Sequence, residues 1–186
     1  MKIVVIAGST RRGSLNTQLA RVVAAVRPKD PVTLMNLLDR VPFYNADVET
    51  AGVPAAVREL REAVAGADAL VFVTPEYNGT VPGMLGNAVD WLSRPPGESV
   101  LQKKPVVVLS ASPSRYGGIR AAEHLRTVLG YIGAQVAPVG VSVTRAHRRF
   151  KDGAADRELA TEVTQVLAEA LDRSESRRPE ALAPAV

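Results

Sequence analysis

The sequence predicts an α/β three-layer sandwich: a five-stranded parallel sheet in the strand order 2-1-3-4-5, with helices on both faces. Three observations predict it. Short apolar runs alternate with stretches whose apolar residues recur at helical spacing, and such alternation demands parallel strands joined by right-handed crossovers. The runs are continuously apolar, as expected of strands buried on both faces. The most unusual loops follow the first, third and fourth strands, which this order makes neighbours.

Ile3–Ala7 (IVVIA) is the first strand, and Gly8–Gly13 is a turn. Leu15, Leu19, Val22, Val23 and Val26 mark the first helix, closed by Pro28 and Pro31. Val32–Met35 is a short second strand, and Val41–Gly52, which lacks periodicity, is expected to be a loop. Val53, Val57, Leu60 and Val64 mark the second helix, ended at Gly66. Ala69–Thr74 is the third strand, followed by the turn-rich Pro75–Gly83. Leu85, Ala88, Val89 and Leu92 mark the third helix, stopped at Pro95 and Pro96. The fourth strand starts with Pro105–Leu109, and the loop Ser110–Gly118 follows. Ile119, Ala122, Leu125, Val128, Leu129 and Ile132 form the fourth stripe. Gln135–Val139 is the fifth strand, with a continuation towards Val143, and Leu159, Val163, Val166, Leu167 and Leu171 mark the last helix. Residues 1–172 are thus expected to form one domain, and residues 173–186, polar and Pro-containing, a disordered tail.

Composition narrows the function classes. Among 186 residues, 46% are hydrophobic and 23% charged, which excludes a wholly disordered chain. The formal net charge of +4 is a small imbalance that favours anionic ligands without forming a nucleic-acid footprint. With no cysteine, disulfides, a cysteine nucleophile and thiolate zinc sites are excluded, and a reducing cytoplasm fits. His124 and His147 are the two histidines, so no metal site is expected. His124, at the margin of the fourth stripe, reads as structural, and His147 as exposed. No apolar run approaches the ~18 residues of a membrane span, so a soluble protein with no membrane partner is expected.

The chemistry is concentrated in the three loops. Gly8–Asn16 joins the first strand to the first helix, where unpaired N–H groups and a partial positive charge suit a phosphate. Ser9, Thr10 and Ser14 add hydroxyls, Arg11 and Arg12 add charge, and Asn16 adds an amide near the first turn. The loop matches neither G-x-G-x-x-G nor the P-loop, which points to a terminal phosphate. The competing structural reading is a solvated turn in which Ser14 caps the helix. Thr74–Gly83 is stiffened by two prolines and two glycines and can present backbone groups to a planar heterocycle, with Tyr77 adding an aromatic face. For Glu76, a ligand role and a pairing with a nearby arginine stand side by side. Trp91 reads as a core or subunit-contact residue. In Ser110–Gly118, the glycines at 117 and 118 allow close backbone approach, and free N–H groups at the following helix start could face negative charge on a reduced ring.

The motifs G-S-x-R-x-x-S-x-N, P-E-Y-N-G-x-x-P-G-x-L-x-N-x-x-D-W and a Ser-rich loop ending in Gly-Gly resemble the NADPH-dependent FMN reductases, a flavodoxin-like family that includes quinone, azo-dye and chromate reductases. The resemblance runs from about Lys2 to Val139. It implies an enzyme that passes hydride from NADPH or NADH through FMN to a flavin, quinone or similar small acceptor. It also implies a homodimer or homotetramer. Ser9, Arg11, Ser14, Leu15 and Asn16 would hold the FMN phosphate; Pro75, Glu76, Tyr77, Asn78 and Gly79 would line the ribityl chain and ring; Ser112, Ser114, Gly117 and Gly118 would cover the other edge. No catalytic side chain is implied beyond the cofactor. The family often carries Lys where this chain has Gly86, which bears on a subunit contact rather than on FMN. Two other readings share the fold: an FMN-binding electron carrier of flavodoxin type that needs a partner reductase, and a phospholigand sensor. The positive net charge argues against the carrier, which is usually strongly acidic.

Overall fold

The computed structural model describes residues 1–172; the expected tail, 173–186, lies outside them. The chain runs β1 (Ile3–Ala7), α1 (Leu15–Val26), β2 (Val32–Met35), a 3-10 turn (Leu38–Arg40), α2 (Ala46–Ala51), α3 (Ala55–Ala65) and β3 (Ala69–Thr74). It continues through α4 (Gly83–Leu92), β4 (Pro105–Ala111), α5 (Ile119–Tyr131), β5 (Gln135–Val136) and β6 (Ser142–Val143). A 3-10 turn (Ala146–Arg148), the hairpin β7 (Phe150–Lys151) and β8 (Ala154–Ala155), α6 (Arg157–Leu167) and a π turn (Ala168–Asp172) complete it.

The sheet order is β2-β1-β3-β4-β5, with β6 paired to β4, and every pairing in it is parallel. Successive residues of each central strand feed opposite cores, as the two-residue period of a strand requires. Ile6, Phe72 and Val108 pack on one side with Leu85 and Trp91 of α4 and Leu125 of α5. Val5, Val71 and Val107 pack on the other side with Leu19 and Val23 of α1 and Leu159 and Val163 of α6. Trp91 is fully buried, its indole N–H donates to the Pro42 carbonyl at 2.8 Å, and Tyr44 meets it edge-on at 5.0 Å. Of its two expected places, it occupies the core.

Three local expectations need correction. The stretch 41–52 is not wholly loop: α2 forms there, capped by Asn45, whose Oδ1 accepts from the Asp47 N–H at 2.8 Å. No residue of α2 is buried, so it carries no apolar period. The fifth strand does not run from Gln135 to Val143 unbroken. Ala137 still donates to Val106, but the Val108 carbonyl accepts from Arg126 Nη2 at 3.2 Å, and pairing resumes with Ser110 N–H to Val141. Any side chain at Gly140 would collide with Arg126 and Val108, so the guanidinium fills the place of a strand neighbour. The last helix is regular to Leu167 and finishes as a π turn.

The hairpin β7–β8 was not foreseen. Asp152 and Gly153 both have positive φ, 51° and 82°, which makes the two-residue turn type I′. Arg149 pins its base through Asp156 (2.5 Å) and Glu162 (3.2 Å). The hydrogen bond from Arg149 holds the Asp156 carboxyl below its usual range despite partial burial, and Asp156 also caps α6 by accepting from Leu159 N–H at 2.7 Å.

Candidate functional site

The loops after β1, β3 and β4 open on one rim of the sheet, and hydrogen bonds tie them together. Gly8 N–H donates to Val73 at 2.8 Å, joining the first loop to the end of β3. Asn16 joins α1 to the end of β4 at both ends of its amide: Nδ2 donates to the Ala111 carbonyl and Oδ1 accepts from the Ala111 N–H, each at 2.9 Å. Asn16 is buried, so its amide is a positioning group for the loop. Glu76 joins the second loop to the third. Its Oε2 accepts from Arg120 N–H at 3.1 Å and Ala121 N–H at 3.5 Å.

This last contact corrects an expectation. The start of α5 is not left free to face a reduced ring, because the Glu76 carboxylate already takes its first-turn N–H groups. Nor is the partner of Glu76 an arginine side chain; it is the helix backbone. The second loop gains further stiffness from Asn78 and Gly79, with φ of 53° and 76°. Tyr77 and Thr80 exchange two backbone hydrogen bonds at 3.1 Å around them, a type I′ turn. Thr80 Oγ1 lies 2.7 Å from His124 Nδ1, so His124 fastens this turn to α5. Pro75 is buried, and Tyr77 is half-exposed.

In the third loop the Ser112 hydroxyl donates to Ser114 Oγ at 3.1 Å and accepts from Ser114 N–H, while Ser114 Oγ accepts from Tyr116 N–H at 3.2 Å. Gly117 (φ 65°) passes so close to Ser142 that a Cβ would sit 2.6 Å from its carbonyl oxygen, and Gly118 (φ 82°) faces Ser110 and, beyond it, Glu76. Glycine is required at 117 on both counts.

The first loop is built differently. Ser14 is buried and caps α1, accepting from Thr17 N–H at 3.4 Å. Its hydroxyl proton remains available to an acceptor. The backbone N–H groups of Thr10, Arg11, Arg12, Gly13, Leu15 and Asn16 have no partner among the described residues. No acidic residue occupies the first turn of α1. The Arg11 guanidinium bends back to the Arg12 and Gly13 carbonyls at 3.2 and 3.4 Å and stays exposed. Thr17 Oγ1 donates to the Ser9 carbonyl at 3.3 Å, which fixes the first residue of the turn. Leu15 packs on the α1–α6 core and contributes only its amide. A donor set of this kind, all amide, hydroxyl and guanidinium, fits a phosphate group.

A cleft of about 350 Å³ opens against this loop. Besides residues 9–14 it is lined by Thr17, Gln18 and Arg21 of α1, by Asn36 and Asp39 beyond β2, and by the hairpin tip Gly153. Residues 75–79 and 112–118 do not line it. Gln18, Arg21, Asn36 and Asp39 were not foreseen, because exposed polar residues on a helix and a turn carry no signal until the fold brings them together.

A parallel sheet with an unspent helix start at its switch point defines a flavodoxin-like mononucleotide-binding protein. Residues 1–148 match the model of the NADPH-dependent FMN reductases. The chain is 43% identical over 133 residues to an NAD(P)H-dependent FMN reductase from Pseudomonas aeruginosa, covering 71% of each protein. It is 41% identical over 138 residues to a quinone reductase from Escherichia coli, covering 73% of each. FerB, a flavoenzyme NAD(P)H:acceptor oxidoreductase from Paracoccus denitrificans, superposes with a TM-score of 0.83 at 29% identity, over 94% of this chain and 97% of that one. The chain belongs to the NADPH-dependent FMN reductase family. It is an oxidoreductase that uses FMN and NAD(P)H and reduces a small-molecule acceptor. Nothing in these likenesses favours the flavodoxin-type carrier. Among the described residues, no helix is long and apolar enough to cross a membrane.

Proposed function

We propose that the loop at the start of α1 holds the FMN phosphate, and that the enzyme reduces a quinone or a free flavin at the expense of NADPH or NADH. The observation that carries this reading is the set of unspent amides of residues 10–13, Leu15 and Asn16, beside Arg11 and without a carboxylate in the first helical turn. The redox chemistry, hydride uptake from the nicotinamide and delivery to the acceptor, is supplied by FMN when bound. The chain's own residues bind and orient. Ser9, Arg11 and Ser14 and the amides of Leu15 and Asn16 hold the phosphate. The Asn16 side chain keeps that helix start in register with β4.

Pro75, Glu76, Tyr77, Asn78 and Gly79 line the flavin through their backbone and the Tyr77 ring, while the Glu76 carboxylate secures the α5 start. Ser112, Ser114, Gly117 and Gly118 form the opposite edge. No side chain is assigned a proton-transfer role. The same reading includes a homodimer or homotetramer, supported by the exposure of Phe43 at 83% and Tyr131 at 94%. It includes a cytoplasmic location, which a cysteine-free composition suits.

The test is NAD(P)H oxidation by the flavin-loaded protein with a benzoquinone acceptor, followed at the nicotinamide band. Turnover without a second protein is expected. Turnover no greater than that of a heat-killed control, or only with an added reductase, overturns the reading.

A further inference from the structure

The cleft beside the phosphate loop is larger than one phosphate requires. Its volume of about 350 Å³ lies within the roughly 300–1,000 Å³ that organic ligands fill. It starts at the unspent amides and leads towards the carboxyl end of β2, away from the loops that follow β3 and β4.

Its walls change in chemistry along the way. Arg12 and Arg21 line it beyond Arg11, and Asp39 stands at the β2 side. None of Arg12, Arg21 and Asp39 makes an ion pair among the described residues. Two guanidinium groups suit a further phosphate. The Asp39 carboxylate, lining the same cleft as the loop after β1, is an acceptor suited to the hydroxyls of a ribose diol. Asn36, at the end of β2, adds an amide able to donate and accept.

Resting on the flavin-reductase reading, we propose that this cleft receives an adenosine 5′-phosphate unit esterified to the flavin phosphate, so that the chain holds FAD as well as FMN. Arg12 and Arg21 serve the second phosphate and Asp39 the ribose hydroxyls. The cleft is distinct from the ring-side loops, so the adenylate half leaves the donor and acceptor face of the flavin open.

Isothermal titration calorimetry on the full chain freed of flavin tests this with FMN, FAD and 5′-AMP as ligands. FAD is expected to bind within about tenfold of FMN. Asp39→Ala and Arg21→Ala, both at exposed positions, should each weaken FAD at least about fivefold while moving FMN less than about twofold. FAD weaker than FMN by more than about tenfold, or variants that shift both flavins alike, overturns the proposal. Competition of 5′-AMP against FAD but not FMN places the adenylate of FAD in the cleft. Displacement of neither by 5′-AMP, with both variants silent, removes adenylate from it. Binding of neither flavin would instead sink the family assignment of the cofactor site.

Discussion

Two helix starts sit on the same rim of the sheet and are treated in opposite ways. At α5 the chain supplies its own anion: Glu76, from the loop after β3, accepts from Arg120 and Ala121. At α1 no carboxylate enters the first turn, and the amides of residues 10–13, Leu15 and Asn16 stay unpaired among the described residues. Both helices present the same partial positive charge. On the proposed reading the anion at α1 comes from outside, whereas α5 is a strut that holds two loops together. The loops after β3 and β4 have polar groups spent on one another; the loop after β1 keeps several of its amides unspent.

That contrast can be broken at its hinge. Asn16→Ala removes both bonds to Ala111 and leaves a buried N–H and C=O without partners. A loss of about 3 kcal/mol in urea unfolding is expected, with FMN retention falling in parallel. Arg11→Ala should separate the two regions: FMN binding weakens by about 1.5–3 kcal/mol, while unfolding of the flavin-free protein is unchanged. Glu76→Gln should do the reverse, lowering stability by about 1 kcal/mol through the α5 start and leaving FMN affinity within about twofold.

The smallest effect concerns the hairpin base. Asp156→Ala should cost about 1 kcal/mol near neutral pH, by loss of the α6 cap and of a half-exposed pairing with Arg149. The Asp156 carboxyl is held below its ordinary value of 3.8 by the Arg149 hydrogen bond. Its contribution is therefore present above that value and is lost as pH falls through the lower, folded-state one. The gap between variant and parent in urea unfolding should close in that acidic range and persist at neutral pH.

The strands and long helices were legible because each carries a period: continuous apolar runs for β1, β3 and β4, and helical spacing for α1, α3, α5 and most of α6. The corrected stretches carry none. α2 buries nothing, and the break after β5 is decided by Arg126, a residue of the preceding helix. The type I′ turn at Asp152-Gly153 carries a signal of its own, an Asp-Gly pair between two short runs. Within the site, the loops and their donors were legible as types. The occupations of Asn16 and Glu76 were not, since each bonds to backbone far along the chain: Ala111 for one, Arg120 and Ala121 for the other. A side chain that bonds to backbone carries no complementary residue type to search for.

The central claim is that the unspent amides of α1 exist for the flavin's phosphate. Comparing riboflavin with FMN for affinity to the flavin-free chain, in the parent and in Arg11→Ala, tests it most directly. The account predicts FMN tighter than riboflavin by at least about a hundredfold, with the gap narrowing in the variant and riboflavin affinity unmoved. Equal affinities for the two, or a gap indifferent to Arg11, would contradict it.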